Sequence, residues 1–242
     1  MGALALAVWA TYTADHLWDA QKAPRPAAAA RHRFHQTQRR PLLVLLALAL
    51  LAGASLTFFL PPALLRAGAG VALFVAGYFG LLHLRPGRRL NRWFPKEVLV
   101  ALGYVAGLFA GPLALAGRPW GLDMGLLIGQ YACLALANLL LFAIYSAPED
   151  QRDGFGSVAL ALGAGRARRL VLGTGLGFAG LGGLALGWFA HQPLMLPLQV
   201  CLWPTMAGLL ALLAFPRFFG QADRYRYWGD GVLCLPGLVL LS

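Results

Sequence analysis

The chain has 242 residues, of which 59% are hydrophobic and only 12% charged, with a mean hydropathy of +0.66. Soluble domains carry about 25% charged residues, so a soluble globular fold is excluded. The formal net charge of +11 does not point to nucleic acid, because the basic residues flank apolar runs, where membrane topology and lipid headgroups account for them.

Long apolar runs recur along the whole length, each bounded by Gly, Pro or basic clusters. In hydrocarbon only helices and closed barrels satisfy every backbone polar group, and a barrel would show short alternating segments instead. The expectation is therefore an all-α fold: one polytopic transmembrane helical bundle over residues 1–242. The spacing predicts about eight spans, at 1–20, 41–60, 67–84, 97–117, 122–145, 168–190, 194–215 and 229–242. The first is short, with only about thirteen residues ahead of Asp15 against the roughly twenty of a full crossing. It has no basic start and no small-residue cleavage site, so it is not a signal peptide. A helix missing ahead of Met1, or an earlier start, is the expected explanation. The last span is short as well.

The basic residues alternate with these spans. Lys22, Arg25, Arg31, Arg33, Arg39 and Arg40 follow the first, and Arg85, Arg88, Arg89, Arg92 and Lys96 follow the third. Arg152, Arg166, Arg168 and Arg169 follow the fifth, and Arg217, Arg224 and Arg226 follow the seventh. Only Arg66 and Arg118 fall in the opposite loops. The positive-inside rule puts the four basic loops in the cytoplasm, and a bacterial inner (cell) membrane is the expected location. Cys133, Cys201 and Cys234 lie in apolar runs without paired spacing and read as small hydrophobes. The small residues from Gly173-Thr174-Gly175 to Gly182-Gly183 are expected to serve close helix packing; no strand precedes them, so they are not a dinucleotide fingerprint.

Ionisable groups are kept out of apolar interiors unless they are used, so acids at span ends are informative. Asp15 and Asp19 are four apart and share one face of the first helix. Glu149 and Asp153 repeat that spacing at the corresponding end of the fifth span, with Asp150 between them. Ser146-Ala147-Pro148-Glu149 also fits a helix start, with Ser146 as cap. Clustered carboxylates repel unless cations neutralise them. Mg²⁺ commonly bridges one or two carboxylates to substrate phosphates, and Arg and Lys bind phosphate directly. Acids for a metal, bases for phosphate and an apolar bundle for a tail together point to a diphosphate-bearing lipid. The plainer alternative is that each acid pairs with Arg or Lys at the headgroup level.

The stretch Thr11-Tyr12-Thr13-Ala14-Asp15-His16-Leu17-Trp18-Asp19 resembles the first aspartate-rich motif, NxxxDxxxD, of the UbiA superfamily of intramembrane prenyltransferases. The stretch from Asp150 to Ser157, followed by Leu162-Gly163, resembles the end of the second motif, and Leu90 to Lys96 resembles the family's basic loop. The resemblance implies nine helices, one ahead of the first motif. It implies Mg²⁺-dependent transfer of an isoprenoid group from a prenyl diphosphate to a lipophilic, aromatic acceptor, a transfer of alkyl groups other than methyl. Asp15 and Asp19 would bind Mg²⁺, and Asp150 with Glu149 or Asp153 would hold a second ion. Arg92 and Lys96, with Lys22 and Arg152, would hold the diphosphate. Asp15, Asp19 and Asp150 are the implied catalytic residues. Thr11 stands where the family has Asn, and Ser146 and Ala143 stand where the second motif has further acids.

Asn138, in mid-span, is a candidate for the acceptor site, although a helix-to-helix hydrogen bond is the commoner role. His32 and His35 sit in a cationic stretch and are expected to contact headgroups. Two rivals stay open. One is a bundle that binds lipid or a partner without turnover, its second motif decayed. The other is a transporter, whose acids should lie near the bilayer midplane.

Overall fold

A computed structural model describes residues 2–84, 96–116 and 121–237. The described residues are helical almost throughout: α1 (Gly2–Lys22), α2 (Ala30–Thr37), α3 (Arg39–Thr57), α4 (Pro62–Leu84), α5 (Lys96–Leu115) and α6 (Leu122–Asp153). The short α7 (Val158–Leu162), long α8 (Ala164–Phe189) and α9 (Met195–Ala214), and short α10 (Pro216–Phe219) and α11 (Arg224–Val232) complete the order. Six of them, α3, α4, α5, α6, α8 and α9, are long and apolar enough to cross a membrane. They coincide with the expected spans from 41–60 to 194–215. The protein is thus an all-α bundle with the build of an integral membrane protein. Helix α1 covers the expected first span and is not among those six. The expected span over 229–242 begins inside α11, and residues 238–242 lie outside the described part.

Helix α6 is the centre. Half of its apolar window is buried, whereas none of the window of α4 is, so α4 leaves its surface to lipid. The main core joins Leu134 and Leu141 of α6, Val171 and Phe178 of α8, and Leu202, Leu209 and Leu212 of α9. At 1.5 Å per residue the 32 residues of α6 run for about 48 Å, well beyond the roughly 30 Å of a hydrocarbon core. Its last turns, past the expected boundary at 145, therefore stand outside the apolar layer.

Those last turns differ from the expectation of a helix start at Ser146. The helix runs unbroken to Asp153. Pro148 removes the N–H that would bond the Ile144 carbonyl, but Ser146 and Asp150 on either side are buried, and packing carries the helix through. The Ser146 hydroxyl is turned back into the helix, 2.7 Å from the Phe142 carbonyl and 3.0 Å from Asp150 Oδ2, with one proton to share. The helix ends on Gly154, at φ 79°. Phe155 N–H bonds the Asp150 carbonyl at 2.8 Å and Gly154 N–H the Gln151 carbonyl at 3.4 Å. This is a Schellman motif, whose left-handed position glycine fills without a Cβ penalty.

Deeper in the bundle, α6 and α9 are tied by reciprocal amide bonds. Gln130 Nε2 donates to Gln199 Oε1 at 3.0 Å, and Gln199 Nε2 donates to Gln130 Oε1 at 2.7 Å. Trp203 Nε1 adds a third bond to Gln199 Oε1 at 3.1 Å. Gly182 of α8 makes room for the pair, since a Cβ there would sit 2.7 Å from Gln130 Nε2 and 3.1 Å from the Trp203 ring. Close approach at small residues, expected for this stretch, thus holds at Gly182, whereas a Cβ at Gly173 would meet nothing within 4 Å. Gly182→Ala should cost about 1–3 kcal/mol through overpacking. Gly173→Ala should be neutral or stabilise by up to about 1 kcal/mol through helix propensity. Thermal unfolding of the two variants in detergent measures the contrast; equal melting would remove the packing argument.

Candidate functional site

The charged groups collect at the end of the bundle where α1, α2, α5 and the last turns of α6 meet. On α1, Asp15 and Asp19 follow one another by a turn, partly buried. Asp15 lies within electrostatic reach of Asp19, Lys96, Lys22 and Arg31. Tyr78 of α4 feels Asp15, Asp19 and Glu97 together. Four helices therefore bring their charge to one place. Lys22 stacks over Trp18 on its own helix, 5.5 Å from the ring centroid. Glu97, beside Lys96, is buried and accepts the Val158 N–H at 3.0 Å, fixing the start of α7 to α5.

The acids of α6 are held differently. Arg31 Nη2 donates to Asp150 Oδ1 at 2.6 Å. Asp153 Oδ1 accepts the Ala28 N–H at 2.6 Å, and its Oδ2 accepts the Ala29 N–H at 3.1 Å and His32 Nδ1 at 2.8 Å. Arg31 Nε donates to His32 Nε2 at 3.2 Å. That contact makes Nε2 the acceptor of the ring, so Nδ1 carries the proton and donates to Asp153. Residues 28–32 are thus strapped across the end of α6, and the strap is legible as one chain from Asp150 through Arg31 and His32 to Asp153. His32 and His35 are buried, 2% and 8% exposed, which corrects the expectation that they contact headgroups. His32 is taken by Asp153, and His35 Nδ1 by the Arg31 carbonyl at 2.8 Å. His16 completes the cluster, its ring 5.2 Å from that of His35 and stacked at 4.0 Å on Tyr12.

Asp153 lies past the apolar layer. Burial pushes its carboxyl up, but the hydrogen bonds from His32, Ala28 and Ala29 outweigh it and hold the group below the ordinary carboxylate range. A carboxylate held low stabilises the fold in full above its unfolded pKa and loses that contribution as pH falls through the folded one.

The other expected site residues are spread around this end. Glu149 is half-buried on α6 and Arg152 exposed on its last turn, whereas Arg92 lies outside the described residues. Asn138 is well below the acids, within electrostatic reach of the Asp230 carboxylate of α11. Its Oδ1 has no hydrogen-bond partner among the described residues and rests against Gly229, where a Cβ would come within 2.5 Å. Asn138 therefore packs α6 against α11.

The structure thus opens one acid pair and closes the other. Among the described residues none gives Asp15 or Asp19 a side-chain hydrogen bond or ion pair, and none form a group of three or more His, Cys, Asp or Glu fit to hold a metal. Two carboxylates alone still suit Mg²⁺, which takes one or two from protein and the rest from phosphate and water. Asp150 and Asp153 are already engaged by the chain: Asp150 Oδ1 and both Asp153 oxygens accept hydrogen bonds from Arg31, His32 and two backbone N–H groups, and Asp150 Oδ2 competes with the Phe142 carbonyl for the Ser146 proton. Arg31 and His32, which sequence reasoning did not assign to the site, carry this difference. Compared with known proteins, the chain matches no family model, no curated protein and no solved structure.

Asp153→Asn should destabilise the protein by about 1–3 kcal/mol at neutral pH, the range for a buried hydrogen-bonded group left without its partner charge. The gap in melting temperature from the parent should persist down to about pH 4 and close only below it. A gap that closes between pH 7 and pH 5 would assign the effect to some other group.

Proposed function

We propose that the chain is a UbiA-like intramembrane prenyltransferase, which moves an isoprenoid group from a prenyl diphosphate to a lipophilic, aromatic acceptor. The observation that carries the reading is the Asp15 and Asp19 pair, without an ion pair among the described residues and within electrostatic reach of Lys96, at the end of a bundle of apolar helices. Bound there, Mg²⁺ would link the two carboxylates to the diphosphate and offset the charge that builds on it as it departs. Lys96, Lys22 and Arg152, and Arg92 from the segment outside the described residues, would hold the same oxygens. The bond between the prenyl carbon and the diphosphate oxygen breaks with its electron pair leaving on the diphosphate. The acceptor carbon then forms the new bond and releases a proton. The apolar helices exclude the water that would otherwise quench the allylic cation. Asn138, near Asp230, would meet the polar group of the acceptor. In this reading α1 and residues 229–242 also cross, which gives eight spans with the acids on the cytoplasmic side of a cell membrane.

The engagement of Asp150 and Asp153 favours a second reading, a decayed member of the same scaffold that binds prenyl diphosphate without turnover. Purified protein given a panel of prenyl diphosphates and aromatic acceptors separates the two. The enzyme should release diphosphate only with Mg²⁺, and Asp15→Asn or Asp19→Asn should slow it by about 100-fold or more. Tight binding without release would favour the second reading. Neither binding nor release with any donor would remove both.

A further inference from the structure

The two acid pairs lie at the same end of the bundle and are in opposite states. Among the described residues Asp15 and Asp19 have no ion pair. Asp150 has a cation supplied by the chain, the Arg31 guanidinium at 2.6 Å, and Asp153 is met by three hydrogen bonds, from the His32 ring at 2.8 Å and the Ala28 and Ala29 N–H groups. Their side chains are only 6% and 1% exposed. A Mg²⁺ ion at this pair would need oxygens at about 2.0–2.1 Å in near-octahedral array. It would have to displace Arg31 and strip two backbone N–H groups, at Ala28 and Ala29, of their acceptor.

Arg31 is more than a counter-ion. Its Nη2 is fixed on Asp150 and its Nε on His32 Nε2, while Nη1 has no partner among the described residues. The side chain is 21% exposed, and it lies within electrostatic reach of Asp15, His16 and Tyr12. A guanidinium held on two of its nitrogens presents the remaining edge in a fixed orientation, which is the geometry that takes two oxygens of a phosphate.

We infer that Arg31 stands in for a second metal ion: oriented by Asp150 and His32, it binds the diphosphate of the substrate beside a single divalent cation at Asp15 and Asp19. The inference rests on the prenyl diphosphate reading above. Asp150, His32 and Asp153 are positioning residues in this arrangement, acting through Arg31. The charge needed opposite the leaving diphosphate then comes partly from a side chain that never dissociates.

The full chain in detergent, with a prenyl thiolodiphosphate that does not ionise, provides the test. Mn²⁺ titration followed by electron paramagnetic resonance should give one ion per chain. That ion should be lost in Asp15→Asn and kept in Asp150→Asn. Arg31→Gln should weaken the analogue at least 10-fold with one Mn²⁺ still bound, and Arg31→Lys should recover only part of that loss. Melting in EDTA provides the metal-free control, in which Arg31→Gln should unfold earlier than the parent. Two Mn²⁺ per chain, one of them lost in Asp150→Asn, would overturn the inference and leave the prenyltransferase reading intact. Unchanged analogue affinity in Arg31→Gln would do the same. An analogue that does not bind the parent protein at all overturns both together.

Discussion

The clasp between residues 28–32 and the end of α6 is the constraint on which the rest of the basic end depends. A buried carboxylate without a partner is costly, and two of them a turn apart more so. The chain meets that cost with the backbone N–H groups of Ala28 and Ala29, a guanidinium and an imidazole, so that the segment after α1 is drawn onto α6. Because the segment is short, α1 comes with it, and Asp15 and Asp19 are thereby set beside Lys96 of α5. The Schellman end at Gly154 matters for the same reason. It stops α6 at Asp153 and fixes the register at which both acids present themselves.

Away from this end the bundle is held in another way. Between helices in lipid there is little hydrophobic driving force, so close packing and interhelical hydrogen bonds carry association. The Gln130 and Gln199 pair, seated on Gly182, and the packing of Asn138 against α11 are of this kind. They leave α3 and α4 outside the polar scaffold, as expected of helices that face lipid over most of their surface.

Much of the fold was legible because hydropathy and helix length report directly on the solvent around each segment. The six long apolar helices fall where their runs predict. Asp15 and Asp19 were legible because the i, i+4 relation is local. The strap was not, since Arg31 and Asp150 are 119 positions apart and nothing in the basic stretch around Arg31 marks one arginine from its neighbours. Ser146 misled for a related reason. Ser, then Pro, then Glu is the composition of a helix start, and only the burial of Ser146 and Asp150 keeps the helix continuous through it. The histidines were expected at the headgroups because they sit among arginines, yet Asp153, far along the chain, draws His32 inward and His35 turns onto the Arg31 carbonyl.

The polar ties on α6 also set how the molecule meets its surroundings. Gln130 and Asp150 are twenty residues apart on one continuous helix, or about 30 Å along its axis. That is close to the thickness of a bilayer's hydrocarbon layer. Helix α6 is therefore pinned at two points separated by one membrane thickness, and neither sliding nor tilting is open to it without breaking one of them. Among the described residues no side-chain hydrogen bond ties α3 or α4 to another helix, so a thinner or thicker bilayer is accommodated there. The acid-bearing end keeps its height above the lipid while the outer wall adjusts.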